Sequence, residues 1–594
     1  MHYPVAKQKI ISLAVAAACA AYLAPAGAQQ AGALPESAPT TSSATPAVAE
    51  DTAGQPQVVV VKGLRQSMAS SLNMKRNADG IVDGIVAEDI GKFPDTNLAE
   101  SLQRISGVSI DRSIGEGSKI TVRGVGPDFN MVLLNGRQMP TSNLGDLNGR
   151  AFDFANIASE GISQIQVYKS SRADTPTGGI GATLNVMTAR PLERGGKQAS
   201  IGIKGVYDSS ADNLPADVKR GNKVTPEISG IYSTTSADGK FGVAISGSYQ
   251  ERNLGYNQAS VSSGWRGPFR GDDDNSWGRI PQPNEGSGAS IVNRPTGGTL
   301  YQVPQNLNYS MSGVQRQRTN GQLTLQYAPS KALVTTLDYT YSENKIQTRR
   351  QDMSAWFNFG DSTSTWANPV GGIAAPQVYT EFILPTRKPN GEIVPPSSDI
   401  AMGGADFATR TQNKSLGFNA VWKPVTGLRL ELDTHKSSAE STPDSPFGSS
   451  NTLGTASFSR GTTSADFSKE FPVLSIQDAD FKRAPQQVTG SVFQNGYMKG
   501  DIEQTQFKGS QDLFEASKLN FGLAVTKSEN RSAFSNQQLD TWGGATKASD
   551  YPSSLFHQES LRQYFDKLDG SDNPNLFNTF YTFDFDQVRQ IAAN

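Results

Sequence analysis

Alternation of apolar and polar positions dominates the chain after Pro191. Phe241, Val243, Ile245 and Tyr249 share one face of an extended segment, while Gly242, Ala244, Ser246, Ser248 and Gln250 share the other. The same two-residue period returns in Leu323, Leu325 and Tyr327; in Leu333, Leu337, Tyr339 and Tyr341 against Asp338, Thr340 and Ser342; and in Leu416, Phe418 and Trp422. It recurs in Leu428, Leu430 and Leu432 against Arg429, Glu431 and Asp433, and in Leu519, Phe521, Leu523 and Val525. Strands with one apolar face suit a soluble sandwich or a barrel in lipid. Two features favour the barrel. Tyr249, Tyr327, Tyr339, Tyr341 and Trp422 stand near strand ends on the apolar face, where an interfacial girdle belongs. Short turns at 328–332 and 423–427 contrast with long segments around 251–317, 345–411 and 438–500, the loop asymmetry of outer-membrane barrels.

Residues 63–192 read differently, as a compact α+β unit. Asn97 followed by Glu100 makes a capping-box signal, and Leu98, Leu102 and Ile105 follow at helical spacing until Gly107. Short strands flank this helix at 108–110, 120–123, 131–137 and 165–168, and Asn135-Gly136 is a tight-turn dipeptide.

The N-terminus sets the compartment. Lys7 and Lys9 precede an apolar run from Ile10 to Leu23, and Ala26-Gly27-Ala28 offers a small-residue cleavage site, so residues 1–28 read as a secretory signal peptide. A lipid-modified Cys19 is the competing reading, disfavoured by Ala16 where such sites carry leucine. Residues 29–56 are rich in Ala, Pro, Ser, Thr and Gln, which have little to bury, and read as a disordered tether, periplasmic under the resemblance given below. Gln57 to Lys62, built on Val58, Val59, Val60 and Val61, is a short β-branched strand of the kind that adds itself to another protein's sheet, or else a domain edge strand. With Lys+Arg 54 against Asp+Glu 56 and a formal net charge of -2, the chain lacks the basic excess of a nucleic-acid binder. No later stretch of about 18 uncharged apolar residues is present to span a membrane as a helix.

Several motifs in the α+β unit resemble those of the TonB-dependent outer-membrane receptors. Phe93-Pro94-Asp95-Thr96-Asn97-Leu98-Ala99-Glu100-Ser101-Leu102 through Gly107-Val108 is similar to the stretch that opens the family's plug, Ile120-Thr121-Val122-Arg123-Gly124 to its "RG" strand, and Leu133-Leu134-Asn135-Gly136 to its turn. Ile165-Gln166-Val167-Tyr168-Lys169 and Gly178-Gly179-Ile180-Gly181-Ala182 resemble the plug's close. The segment from Gly63 to Pro94 resembles a large-receptor subgroup often linked to complex carbohydrates. The resemblance implies an α+β plug domain at 63–192, then an antiparallel transmembrane barrel of about 22 strands in the family, of which 193–594 supplies the N-terminal part. Only nine or ten strands can be placed after Leu192, and Ile591-Ala592-Ala593-Asn594 lacks an aromatic end, so the reading expects an N-terminal fragment of a longer receptor. It also implies a Gram-negative outer-membrane location and TonB, with its inner-membrane energising complex, as the partner engaging Val58, Val59, Val60 and Val61.

The implied function is TonB-dependent uptake of a large substrate, an oligosaccharide first and a ferric siderophore as the alternative. The 28 residues or so before Gln57 are too few for a folded signalling domain. Substrate-contact candidates are Asp128, Phe129, Asn130, Thr141, Ser142 and Asn143 on plug loops, with Trp265 and Trp277 on outer loops, where aromatic faces stack on sugar rings. Each has a plainer reading as a turn or packing residue. Arg123, Gly124, Asn135 and Gly136 are taken as structural, Arg123 through buried ion pairing. Catalysis finds no support, because His435 and His557 are far apart and thiolate chemistry is absent from the mature chain; no cofactor or resident metal is expected. Outside transport, a secreted β-rich glycan-binding protein or a polysaccharide-degrading enzyme stays open.

Overall fold

The computed structural model describes residues 62–593 except 79, 87–96, 148, 158, 160, 272–275, 368–371, 515–516 and 540–547. The signal peptide, the tether, Val58 to Val61 and the Phe93 to Thr96 motif therefore lie outside the described residues.

A helix α1 (Lys62–Arg76) comes first, where the pattern reading placed no element. Its Leu, Gln, Met, Ala, Lys and Arg residues are good helix formers, and Lys75 and Arg76 complement the dipole in the last turn. Then come β1 (Val82–Val86), α2 (Leu98–Leu102), β2 (Val108–Ser113), β3 (Glu116–Val122), β4 (Asn130–Leu134), β5 (Arg137–Gln138), β6 (Ile162–Tyr168), β7 (Ala182–Thr188) and α3 (Pro191–Arg194). Asn97 caps α2 as expected, its Oδ1 accepting from Ala99 N–H at 2.9 Å. Glu100, however, turns away from the cap to hold Arg112 at 2.6 Å and the Gly117 N–H at 2.9 Å. Asn135 and Gly136 have φ of 55° and 82°, a turn with both central residues left-handed that pairs Leu134 with Arg137. The plug sheet runs β1-β6-β7-β4-β5, with β4 and β7 parallel and the other neighbours antiparallel. Leu98, Leu102, Val122, Ile165, Val167 and Leu184 fill its core.

The remainder is a wall of long strands with folded loops. In chain order it comprises β8 (Lys197–Tyr207), β9 (Val224–Thr235), β10 (Phe241–Ser260), β11 (Trp265–Arg270), β12 (Leu300–Pro304), β13 (Asn306–Ser330), β14 (Leu333–Trp356), β15 (Ser362–Trp366), β16 (Pro376–Glu381), β17 (Thr386–Arg387) and β18 (Ile393–Val394). There follow β19 (Ser398–Trp422), β20 (Leu428–Pro443), β21 (Ser450–Arg460), β22 (Thr463–Asp466), β23 (Val473–Ile476), β24 (Gln487–Phe514), β25 (Ser517–Leu539), β26 (Phe556–Ser560), α4 (Arg562–Phe565), β27 (Thr579–Phe583) and α5 (Phe585–Ala593). Ten of these strands form one antiparallel sheet. Two of them share a place: β20 ends at Pro443 opposite Thr409, and β21 resumes at Ser450 opposite Phe407, both between β19 and β24. They are one line interrupted by residues 444–449, so the wall has nine positions and its first and last strands run the same way. Among the described residues, β8 and β25 pair with no further strand on their outer edges.

The alternation seen in sequence sorts the two faces. Leu337, Tyr339, Leu416, Phe418, Leu325 and Phe521 are exposed on the outer face, while Asp338, Asn419, Thr324 and Gln326 are buried on the inner one. One row of cross-strand partners runs Ile203, Ile228, Tyr249, Thr319, Glu343, Gln412, Glu440, Lys499, Arg531. It starts apolar and ends charged, so the apolar belt crosses the strands obliquely, as it does when barrel strands tilt against the membrane normal. At 25, 24 and 25 residues, β13, β14 and β19 far exceed the 9–11 or so that span a bilayer. Their ends stand clear of it. The loops are correspondingly shorter than the pattern suggested, at 261–305, 357–397 and 461–486. These loops pack into a cap: β15-β16-β22-β23 is one sheet drawn from two loops, and Trp366, Tyr301, Tyr379, Phe471 and Phe565 share its buried cluster.

Candidate functional site

The plug is seated against the wall's inner face by buried charge. Arg137 follows the Asn135-Gly136 turn, which aims its guanidinium at β14 and β20. Its Nη1 lies 2.6 Å from Asp338 Oδ1, its Nε 2.8 Å from Asp433 Oδ1 and its Nη2 3.0 Å from Asp433 Oδ2, with the arginine only 1% exposed. Gly417 on β19 makes room, because a Cβ there would collide with the guanidinium. Asn419 Nδ2 donates to Asp433 at 3.0 Å, and the His435 ring meets the Gln138 carbonyl at 3.1 Å.

A second cluster has the opposite polarity. Glu116, at the tip of the β2–β3 hairpin, is 1% exposed and lies 2.7 Å from both Arg316 and Arg318 of β13. Burial alone would raise its carboxyl; the two guanidinium groups outweigh that and bring it down to about 2. Asn97 also donates to it, at 3.2 Å, so the residue that caps α2 reaches the plug–wall interface as well. Polar contacts continue around the seat: Asn156 with Asn344, Ser142 with Ser441, and the Leu192 N–H on Gln326.

The structure brings the two candidate plug loops together, chiefly as scaffold. Asp128 accepts from the Arg150 and Ala151 N–H groups at 2.9 Å, and Thr141 Oγ1 donates to the Ala151 carbonyl at 3.0 Å. Asn130 is buried and donates to the Ile120 carbonyl; Asn143 accepts from Gly145 N–H and donates its own N–H to Met498 Sδ. Phe129 alone of the six stands free, 50% exposed. Trp265 leans on Phe467 at 5.4 Å, and Trp277, 62% exposed, holds Arg266 over its ring at 4.1 Å. Gly124 has φ of 75° and open space where a Cβ would be.

Arg123 departs from expectation. With φ of 53° it turns outward, is exposed, and donates to the Lys169 carbonyl at 2.9 Å rather than to a buried carboxylate. Arg137 takes that role. Its signal was present in the alternation, since Asp338 and Asp433 are charges at inward positions, and a buried charge needs a partner. Among the described residues, no group of three His, Cys, Asp or Glu side chains is placed to hold a metal.

A plug domain docked by buried ion pairs on the polar face of a tilted sheet, whose other face is apolar, defines a plugged β-barrel protein of the outer membrane. No helix among the described residues is long and apolar enough to cross a membrane. Residues 74–183 match the TonB-dependent Receptor Plug Domain family. The ferric enterobactin receptor PirA of Pseudomonas aeruginosa is 28% identical over 123 residues, 18% of this chain and 16% of that protein. The vitamin B12 transporter BtuB of Vibrio cholerae is 28% identical over 227 residues, 37% of this chain and 32% of that protein. The match thus spans a third or less of the length of these relatives, which are named as a receptor and a transporter and not as enzymes. Among solved structures, a mutant of the ferric enterobactin receptor PfeA of Pseudomonas aeruginosa aligns with 75% of this chain and 62% of its own at 13% identity and a TM-score of 0.28. The siderophore receptor PirA of Acinetobacter baumannii aligns with 78% of each chain at 12% identity and a TM-score of 0.24.

Proposed function

We propose that the chain belongs to a TonB-dependent transporter that moves a scarce, bulky solute across the outer membrane. The observation that carries this reading is the seated plug: a separate domain, matched to the receptor plug family and held on the wall by buried ion pairs. The outer membrane lacks a nucleotide supply, so the energy has to arrive through a partner, and Val58 to Val61 is the strand offered to TonB by backbone pairing. An oligosaccharide substrate finds no support among the relatives. Their names favour a ferric siderophore or a cobalamin-type solute. Phe129 and Trp277, the exposed aromatics of the candidate set, are the residues we assign to substrate contact. Among the described residues both wall edges are unpaired, and unpaired backbone in lipid is costly. The reading therefore carries with it further strands on β8 and β25, odd in number because those two run the same way.

Uptake by cells carrying the complete gene tests the proposal. Labelled ferric siderophore, cobalamin and oligosaccharide are compared between the unmodified protein and Val59→Pro at equal outer-membrane levels. Loss of one substrate's uptake in the variant is expected; unaltered uptake of all three would overturn the coupling role of this strand.

A further inference from the structure

Residues 548–593, which follow β25 in the chain, cross the cap and meet residues 208–223, the loop between β8 and β9 at the other edge of the wall. Leu561, Tyr564, Phe565, Leu576 and Phe580 of this last segment complete the cap's buried cluster, which Leu214 of the loop also joins. The loop lies close on the wall because Gly313 of β13 leaves room for the Val218 carbonyl, where a Cβ would collide. Asn213 Nδ2 donates to the Tyr564 carbonyl at 3.1 Å. At the far end of the segment, Asp586 of α5 lies 3.1 Å from Arg349 of β14.

One contact between loop and segment changes charge near neutral pH. His557 of β26 and Thr582 of β27 are direct cross-strand partners and close together on one carboxylate oxygen. The ring Nδ1 and Thr582 Oγ1 each lie 2.7 Å from Oδ2 of Asp217. Asp217 is largely covered, with its side chain 12% exposed, whereas the imidazole is 51% exposed and open to protons from the medium. Its hydrogen bond to Asp217 holds the imidazole above its usual range; burial opposes this, and the Asp217 charge, the Ser554 backbone and Asp584 reinforce it. The charged ring therefore strengthens the contact in full below its ordinary value near 6.5, and that increment is lost as pH rises through the higher value of the folded protein. No second imidazole is at hand, since His2 precedes the described residues and His435 is on β20 against the plug.

We propose that Asp217, His557 and Thr582 form a pH-sensitive clasp on the cap, closed in acidic medium and eased as the medium turns alkaline. Closed, it holds hairpin β26–β27 on the loop of the wall's first hairpin. Eased, it lets that hairpin open more often while α5 stays tied to the wall through Asp586 and Arg349. The clasp does not depend on which solute is carried. Hydrogen exchange of the intact protein in detergent micelles tests it at pH 5.5, 7.0 and 8.5, with each amide expressed as a protection factor so that the chemical pH dependence of exchange cancels. Amides of β26 and β27 are expected to lose protection about two- to fivefold from the lowest to the highest pH, as suits a half-exposed ion pair, while those of β22 and β23 keep theirs. In His557→Gln, which keeps a donor but carries no charge, hairpin protection should be the same at all three pH values. Asp217→Asn should flatten the profile as well and return the His557 imidazole, followed by NMR of labelled histidine, to its ordinary range. Thr582→Val removes a hydrogen bond and no charge, so it should lower protection at every pH and leave the pH dependence in place, which separates titration from general loosening. A pH dependence that persists in His557→Gln, or hairpin protection independent of pH in the unmodified protein, overturns the clasp.

Discussion

Arg137 concentrates the argument at the scale of single residues. Two aspartates from strands far apart in sequence, Asp338 and Asp433, converge on one planar fork, a geometry a lysine does not reproduce. Arg137→Met should therefore leave two buried carboxylates facing each other and destabilise the seated plug by about 3–5 kcal/mol. Exposed Arg123→Met should change it by about 0.5 kcal/mol or less. Urea unfolding of the plug in detergent reads both. Glu116 adds a pH dependence of definite sign. Its carboxyl, ordinarily near 4.5, is held at about 2 in the folded protein, so its contribution is complete above 4.5 and fades as pH falls from there through 2. Melting followed between pH 6 and pH 2 should show this loss, and Glu116→Gln should flatten it while starting from a lower stability. Neither cluster was legible as a pair in the sequence. Each residue was visible, but the partners lie some two to three hundred positions apart, and local patterning carries no record of which inward charge meets which.

Elements were legible where one local rule sufficed. Asn97 caps its helix and Asn135-Gly136 makes its turn because both outcomes follow from a side-chain acceptor or a left-handed backbone within three residues. Helix α1 went unread although Leu64, Met68 and Leu72 recur at helical spacing, and it is tied to the plug sheet through Lys75 on Asp83 at 2.7 Å. The long strands were found but cut short: beyond the membrane belt their outward residues turn inward against the cap, as with Tyr309, Met353 and Met402, so a single polar-apolar rhythm no longer describes them. One glycine ties element to site. Gly417 sits mid-strand in β19, where glycine weakens pairing, and its position is explained by the guanidinium lying across it. Gly417→Ala should unseat the plug by about 1–3 kcal/mol, as overpacking does, whereas Gly321→Ala on β13, with open space at its Cβ, should be close to neutral. Susceptibility of the plug to added protease distinguishes the two variants.

For the whole molecule, the sequence's two faces and its loop asymmetry were enough to indicate a barrel in lipid, because alternation and turn length survive without knowledge of the closure. Missing from that reading was the tilt, which appears only when the register is followed across the wall from Ile203 to Arg531. The oblique belt separates a membrane wall from a soluble sandwich, since a sandwich has no reason to expose a slanted apolar band. It also gives a decisive substitution. Leu325 and Leu384 are both exposed in the protein, at 37% and 66%; Leu325 lies in the middle of the belt on β13, and Leu384 on the cap. If water surrounded both, arginine would be tolerated at either. With lipid around the belt, Leu325→Arg should cost about 2–4 kcal/mol of assembly, while Leu384→Arg should cost next to nothing. The fraction of each variant recovered folded in outer-membrane preparations measures the difference, and equal recovery of the two would put the belt in water.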